Sequence, residues 1–472
     1  MHLMDLTATE LSRLIATRAI SPSETMAAYL ARLPAVNGAI NAIVSPCDPD
    51  ALMAQARAMD DAPRRGWLHG MPFAVKDLVA VRGVRTTYGS PLHADNVPER
   101  DDLLAARLRA AGAIFTGKTN TPEWGHGSHS FNPVFGVTRN PYDTTRSAGG
   151  SSGGAAAALA ARLVPVADGS DMMGSLRNPA AFCNVYGFRP SYGRVPGDAE
   201  GDTFLATLAT DGPMARTVED VARLLDVLAG ENPDVPFGRP AGDFAGQLER
   251  DGRRDLRGLR VGWLGDWGGA YGCEPGILDL CEEGLGVLES LGARVEVLAP
   301  PFPAADLWTA WVHLRGFLNA GAKGAQAADP AVFAQLKPET QWEIRAGQAV
   351  TAAQVYAASV VRSRWYAAAA NLFRRFDILA MPAAQVWPFP ADWRWPQAIN
   401  GRAMDTYHRW MEVVVPVSLL GLPSLAVPCG FGPGGLPTGM QLIGPDGGDE
   451  AVLAVGEHYH RATDWPARRP PP

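Results

Sequence analysis

Two helical patterns open the chain. Thr7 with Glu10, and Ser21 with Pro22 and Glu24, have the capping-box arrangement, in which side chain and main chain at a helix start satisfy each other's polar groups. Behind them apolar residues recur at helical spacing: Leu11, Leu14 and Ile15, then Met26, Tyr29, Leu30 and Leu33. These predict amphipathic packing helices without chemistry. From Met71 to Val79 the pattern becomes a short apolar run into which Lys76 intrudes, Leu103 to Ala111 is helical again, and Ala113 to Thr116 is strand-like. Strand, helix, strand predicts the start of an α/β sheet. A second such unit runs through a β-rich stretch, Leu259 to Leu264, a periodic helix, Ile277 to Leu291, and a strand, Arg294 to Leu298.

Between these units lies a Gly- and Ala-rich centre, residues 147 to 197. Asp234 to Asp251 mixes Pro, Gly and charge and reads as an exposed connection, yet nothing after it looks self-sufficient, so one domain over 1–472 is expected. Residues 301 to 410 are richest in Trp, have weak strand signals, and predict a mostly helical layer over the sheet. From Val413 to Pro445 no charged residue occurs, a length that would cross a bilayer, but Pro416, Pro423, Pro428, Pro433 and Pro437 break it. Short buried strands joined by turns are expected there, and no membrane association.

The 51 Gly and 39 Pro fall short of the share that marks low-complexity disorder, so the chain is expected to be compact and rich in turns. A net charge of −7 without a run of Lys and Arg argues against nucleic acid as a partner. The five cysteines, Cys47, Cys183, Cys273, Cys281 and Cys429, are scattered and never spaced as CxxC, which suggests neither a disulfide framework nor a metal site. Asp5 and Glu10 stand where a secretory leader would be basic and then apolar, so a cytoplasmic location is expected.

The chemistry concentrates in RSAGGSSGGAAAALAARL, residues 146 to 163, where two serines lie between glycine pairs and run into an Ala-rich helix. Hydroxyls and bare amides gather there at a helix amino terminus, though a flexible loop has the same composition. The stretch also matches GxSxG through Ser151 and through Ser152, the nucleophile elbow of α/β-hydrolases. That reading needs a preceding strand, which Thr144 to Ser147 does not convincingly supply, and a downstream base among His313, His408, His458 and His460. The next segment, DGSDMMGSLRNPAAF at 168 to 182, places Ser175 in a short loop able to aim successive amides at one point. Upstream, Lys76 inside PFAVKDLV would be costly to bury as an ammonium, and burial favours the neutral amine, a base. The plainer alternative is a lysine at a strand end that reaches water or pairs with Asp77.

Taken together, MPFAVKDLV around Lys76, GKTNTPEWG at 117 to 125, GGSSGG at 149 to 154, DMMGSLRNPAAFCNVYGFRPSYGRVP at 171 to 196 and GLPTGMQLIG at 435 to 444 resemble the amidase signature family in motif and order. The resemblance spans nearly the whole chain. It implies an α/β/α sandwich with a mixed central β-sheet, its signature core at about 71–200, and cofactor-independent amide hydrolysis by a Ser-cisSer-Lys triad. By motif position Ser175 would be the nucleophile, Ser151 the bridging serine after a cis peptide from Gly150, and Lys76 the base.

The backbone amides of Met172, Met173, Gly174 and Ser175 would form the oxyanion hole. Many members have two glycines before the nucleophile where this chain has Met173 and Gly174, and a small residue where Met172 stands. Ser152 resembles a supporting hydroxyl, and Asp171 and Arg177 a charged pair that braces the loop, although a surface ion pair would read the same. His126 and His129 would either line the entrance or be ordinary polar surface, of which the surface is the expectation, and no role is carried over to them.

The Trp-rich region at 301 to 410 argues for a small, apolar or aryl carboxamide as substrate; no metal or cofactor is expected, and the resemblance implies a homodimer. The alternative is the glutaminase component of a tRNA-dependent amidotransferase. A catalytically idle scaffold relative is a third reading.

Overall fold

A computed structural model describes residues 3–251 and 255–472. Both predicted capping boxes form, starting helices α1 (Ala8–Ala16) and α2 (Pro22–Ile40). The next apolar run becomes strand β2 (Pro72–Lys76), which lies parallel to β3 (Ile114–Thr119); β1 (Ile43–Val44) pairs antiparallel on the other side of β3. The strand–helix–strand unit expected to begin the main sheet thus belongs to a separate three-stranded sheet, with helix α3 (Leu103–Ala110) between its strands. This sheet abuts the main one through Asp168, whose carboxylate accepts the Lys76 main-chain N–H at 3.0 and 3.2 Å.

After α4 (Gly153–Ala160) comes β4 (Val166–Asp171), then α5 (Arg177–Cys183), β5 (Tyr186–Arg189) and β6 (Thr210–Ala215). The second predicted unit forms as β7 (Arg260–Trp263), α6 (Ile277–Ser290) and β8 (Arg294–Val297). With β9 (Ile378–Pro382), β10 (Ser424–Phe431) and β11 (Pro437–Ile443) these build an eight-stranded sheet in the order β8-β7-β9-β11-β10-β5-β6-β4. Strands β7, β8 and β9 pair parallel and the remaining neighbours antiparallel, so the sheet is mixed.

Alternation along the strands divides the core into two faces. Ile378 and Ala380 of β9 join the cluster that holds Ile277, Cys281 and Leu285 of α6, whereas Leu379 and Met381 join Trp308, Trp311 and Trp365. Likewise Leu425 and Val427 of β10 join the cluster of α6, and Ala426 joins the one that holds Ala180 and Ala181 of α5. Helices cover both faces.

The Trp-rich region departs from expectation. It supplies helices α7 (Ala304–Ala322), α8 (Pro338–Gln348) and α9 (Ala352–Leu372), but also β9, an inner strand. A five-residue apolar run carries no period that separates strand from buried helix, which is why ILAMP gave no signal. Within 413–445, a short helix α10 (Val415–Leu420) precedes the two strands. Thr144 to Ser147 does lie in a strand, Asp143–Ser147, though one paired with Arg139–Asn140 in a ribbon and bridged to Pro390, outside the main sheet. The 234–251 stretch ends in a helix, Phe244–Asp251, anchored by buried Phe244 and Leu248. Among the described residues no helix is long and apolar enough to cross a membrane.

Candidate active site

Lys76 ends β2 with its side chain 1% exposed. Its Nζ lies 2.8 Å from each of three hydroxyls, those of Ser151, Ser152 and Ser170. Burial pulls the amine down to about 8, opposed by the carboxylates of Asp211, Asp168 and Asp171. Asp77 is not its partner: that carboxylate accepts from the Thr87 hydroxyl at 2.6 Å and the Thr87 amide at 3.0 Å.

Ser151 and Ser152 stand in the turn ahead of α4, and the Gly150–Ser151 peptide is cis. The turn is held against the end of β3 by the Gly154 amide, which donates to Asn120 O at 3.1 Å. A Cβ at Gly154 would run into the Asn120 main chain and lie 2.7 Å from Ala42 O. Gly154→Ala is therefore expected to cost about 3 kcal/mol, the upper end of overpacking, in chemical denaturation. An unchanged midpoint would show that the turn is not docked this way.

Ser175 follows β4 by four residues and is 7% exposed. Its hydroxyl forms no hydrogen bond among the described residues; it lines, with Ser151 and Ser170, a cavity of about 620 Å³ counted out to its mouth. Leu78, Trp124, Met172, Met173 and Met411 give this cavity largely apolar walls. The structure therefore brings Lys76, Ser151, Ser152 and Ser175 to one place without joining Ser175 directly to Ser151.

The loop before Ser175 is organised by Asp171. This carboxylate accepts from Arg177 Nε at 2.9 Å and Nη2 at 3.0 Å, from Arg189 Nη1 at 3.0 Å, and from the amides of Gly174 at 2.8 Å and Leu176 at 3.2 Å. Burial alone would raise its pKa, but Arg177 and Arg189 overcome that and hold it well below the usual carboxylate range. The three charged groups are fully buried, so the Asp171–Arg177 pair is interior and not a surface ion pair. Asp171 takes the Gly174 N–H, one of the four amides expected to receive an oxyanion, while the amides of Met172, Met173 and Ser175 have no hydrogen-bond partner among the described residues. Gly174 also needs its hydrogen, since at φ +78° a Cβ would press on Val414 at 2.9 Å.

His126 and His129 are buried, contrary to the surface position expected for them. His126 sits between Thr340 Oγ1 at 3.0 Å and Asn319 Oδ1 at 3.3 Å, and lines the cavity. His129 lies between Ser147 Oγ at 2.7 Å and Ala391 O at 3.1 Å. Burial pushes both rings down to about 3, so they are neutral. None of His313, His408, His458 and His460 lines the cavity, which removes the base that the nucleophile-elbow reading requires.

Sequence reasoning missed Ser170, Asp168, Arg189 and Arg315. Ser170 and Asp168 lie two apart on one face of β4, so polar residues at strand spacing ahead of Asp171 were the available signal. Arg189 lies within the 171 to 196 motif but was given no role, and Arg315 comes from a distant segment with no signal of its own.

The Amidase family description matches residues 24–453. The chain belongs to the amidase signature family. It is an amide hydrolase of that family, 32% identical to an acylamidase of Rhodococcus erythropolis over 98% of this chain and 97% of the relative. It is 35% identical to one component of the glutamyl-tRNA(Gln) amidotransferase of Chloroflexus aurantiacus, with 99% of each chain covered. Among solved structures it is similar to a bacterial aryl acylamidase of the same family, with a TM-score of 0.90 and 29% identity over 98% of this chain and 99% of that one.

Proposed function

We propose that the chain hydrolyses the C–N bond of a small carboxamide through an acyl-enzyme on Ser175, with Ser151 as proton relay and Lys76 as base. The observation that carries the reading is the Lys76 amine buried against the Ser151 and Ser152 hydroxyls, beside a cavity that Ser151 and Ser175 both line. An ammonium donates three hydrogen bonds, whereas a neutral amine donates two and accepts one. In the neutral state Ser151 donates into the Nζ lone pair, which frees its oxygen to take the proton of Ser175. The Ser175 oxygen then attacks the carbonyl carbon, and the oxyanion is received by the amides of Met172, Met173 and Ser175. Collapse breaks the C–N bond as Lys76 returns a proton through Ser151 to the leaving nitrogen, and water clears the acyl group by the same relay.

The apolar walls suit an alkyl or aryl acyl body, and the likeness to acylamidases supports the same choice. The equally similar amidotransferase components favour a second reading, a glutaminase that feeds ammonia to a partner. Ammonia release by the purified chain from an aryl amide, compared with release from glutamine, separates them: faster aryl amide turnover is expected, and turnover of glutamine alone contradicts the first reading.

The base must be unprotonated, so kcat/KM should fall about tenfold per pH unit below about 8 and level off above it. A profile flat from pH 5 to 9 would contradict Lys76 as the base.

A further inference from the structure

One wall of the cavity is charged. Arg315, on α7, is 4% exposed and lines the cavity with Asn319, one turn further on. Its Nε donates to Glu343 Oε1 at 2.6 Å and its Nη2 to Tyr407 Oη at 2.9 Å. Its Nη1 meets only the Met172 thioether, with Sδ at 3.3 Å, a weak acceptor. Glu343 is itself pinned by the Tyr407 O–H at 2.5 Å and Asn319 Nδ2 at 2.9 Å, so the guanidinium is locked in place. Burial would lower the pKa of Arg315, but Glu343 and Tyr407 raise it, and the cation persists.

No Asp or Glu lines this cavity among the described residues, and His126 on its wall is neutral. Arg315 is thus the one formal charge among the described lining residues. A buried guanidinium N–H that faces only a thioether lacks a strong acceptor, which a ligand in the cavity could supply. The Ser128 hydroxyl, on the same cavity, is also buried without a partner.

We propose that this cavity takes amides carrying a carboxylate away from the scissile bond, and that Arg315 Nη1 binds that carboxylate and sets the substrate class. The proposal rests on the amide-hydrolase reading above and extends it: the apolar body lies against Trp124 and the methionines, with the amide at Ser175 and the anion at Arg315. A charge-assisted bond to a pre-positioned guanidinium outweighs one to a neutral acceptor.

Glutaramate and 4-carbamoylbenzoate, each paired with a neutral amide of the same skeleton (pentanamide and 4-methylbenzamide), test it. Binding to the Ser175→Ala protein is read by calorimetry, and ammonia release by the unaltered chain. Each carboxylate-bearing amide is expected to bind Ser175→Ala about tenfold or more tighter than its neutral partner. Arg315→Gln with Glu343→Gln, combined so that neither buried charge is stranded, should bring the ratio close to one. Arg315→Lys keeps the charge without the fork, is the check should the double replacement not fold, and should lower the ratio severalfold. Equal binding of the paired amides to Ser175→Ala, or a ratio that survives these replacements, overturns the assignment. Anion-selective binding with no ammonia released from any of the four amides would sink the hydrolase reading while upholding the anion site.

Discussion

Lys76→Ala should reduce amide turnover by about 10²- to 10⁴-fold, the range that a positioned general base supplies, and Ser175→Ala should reduce it as far or further. The reason is local. Lys76 Nζ has three hydroxyl neighbours at 2.8 Å, so removing it leaves Ser151 without a proton acceptor while the cavity walls stay in place. The loss should fall in kcat more than in KM, because Lys76 is not among the residues that line the cavity. Single-turnover kinetics on the two variants checks this. Wild-type turnover in either variant would mean that the chemistry uses another nucleophile or another base.

Asp171→Asn should be the most destabilising conservative replacement in the site. It strips one negative charge from between two fully buried guanidinium groups, and breaking a buried pair in this way costs about 3–5 kcal/mol because the remaining charge is uncompensated. It also loosens the anchors on the Gly174 and Leu176 amides, so the loop that carries Ser175 should lose its shape and activity together. A control is at hand in Arg375 and Glu296, an ion pair at 2.9 Å with both partners about half exposed. Replacing Glu296 by Gln should change stability by less than about 1 kcal/mol. Denaturant midpoints of the two variants provide the comparison. A fall of under about 1 kcal/mol for Asp171→Asn would remove the loop-bracing role.

The contrast between these residues shows what a sequence makes legible. Lys76 stood out because a cation in an apolar run has to be explained, and Ser151 and Ser152 because glycine pairs flank them before an Ala-rich helix. Each signal is local, and the fold brings those groups together. The helices with capping boxes were readable for the same reason.

What was hidden depends on contacts between distant segments. Strand β9 is short and apolar, and only its place between β7 and β11 makes it a strand. Arg189 reaches Asp171 across the intervening strand β6, and Arg315 reaches the cavity from a helix distant in sequence. His126 and His129 look like surface residues in a polar, Gly-rich stretch, but Thr340, Asn319, Ser147 and Ala391 O satisfy their ring nitrogens and make burial affordable. The Gly174 amide was expected in the oxyanion hole because the chain order points there, and the carboxylate three residues before it claims that N–H instead.

The central claim is that a neutral, buried Lys76 activates Ser175 through Ser151. Its most direct test is the rate of labelling by a fluorophosphonate, with the modified residue located by peptide mass spectrometry, in the unaltered chain and in Lys76→Ala. The account predicts one adduct, on Ser175, formed rapidly by the unaltered chain and at least about 10²-fold more slowly without the lysine. An adduct on any other residue, or equal rates in the two proteins, would contradict it.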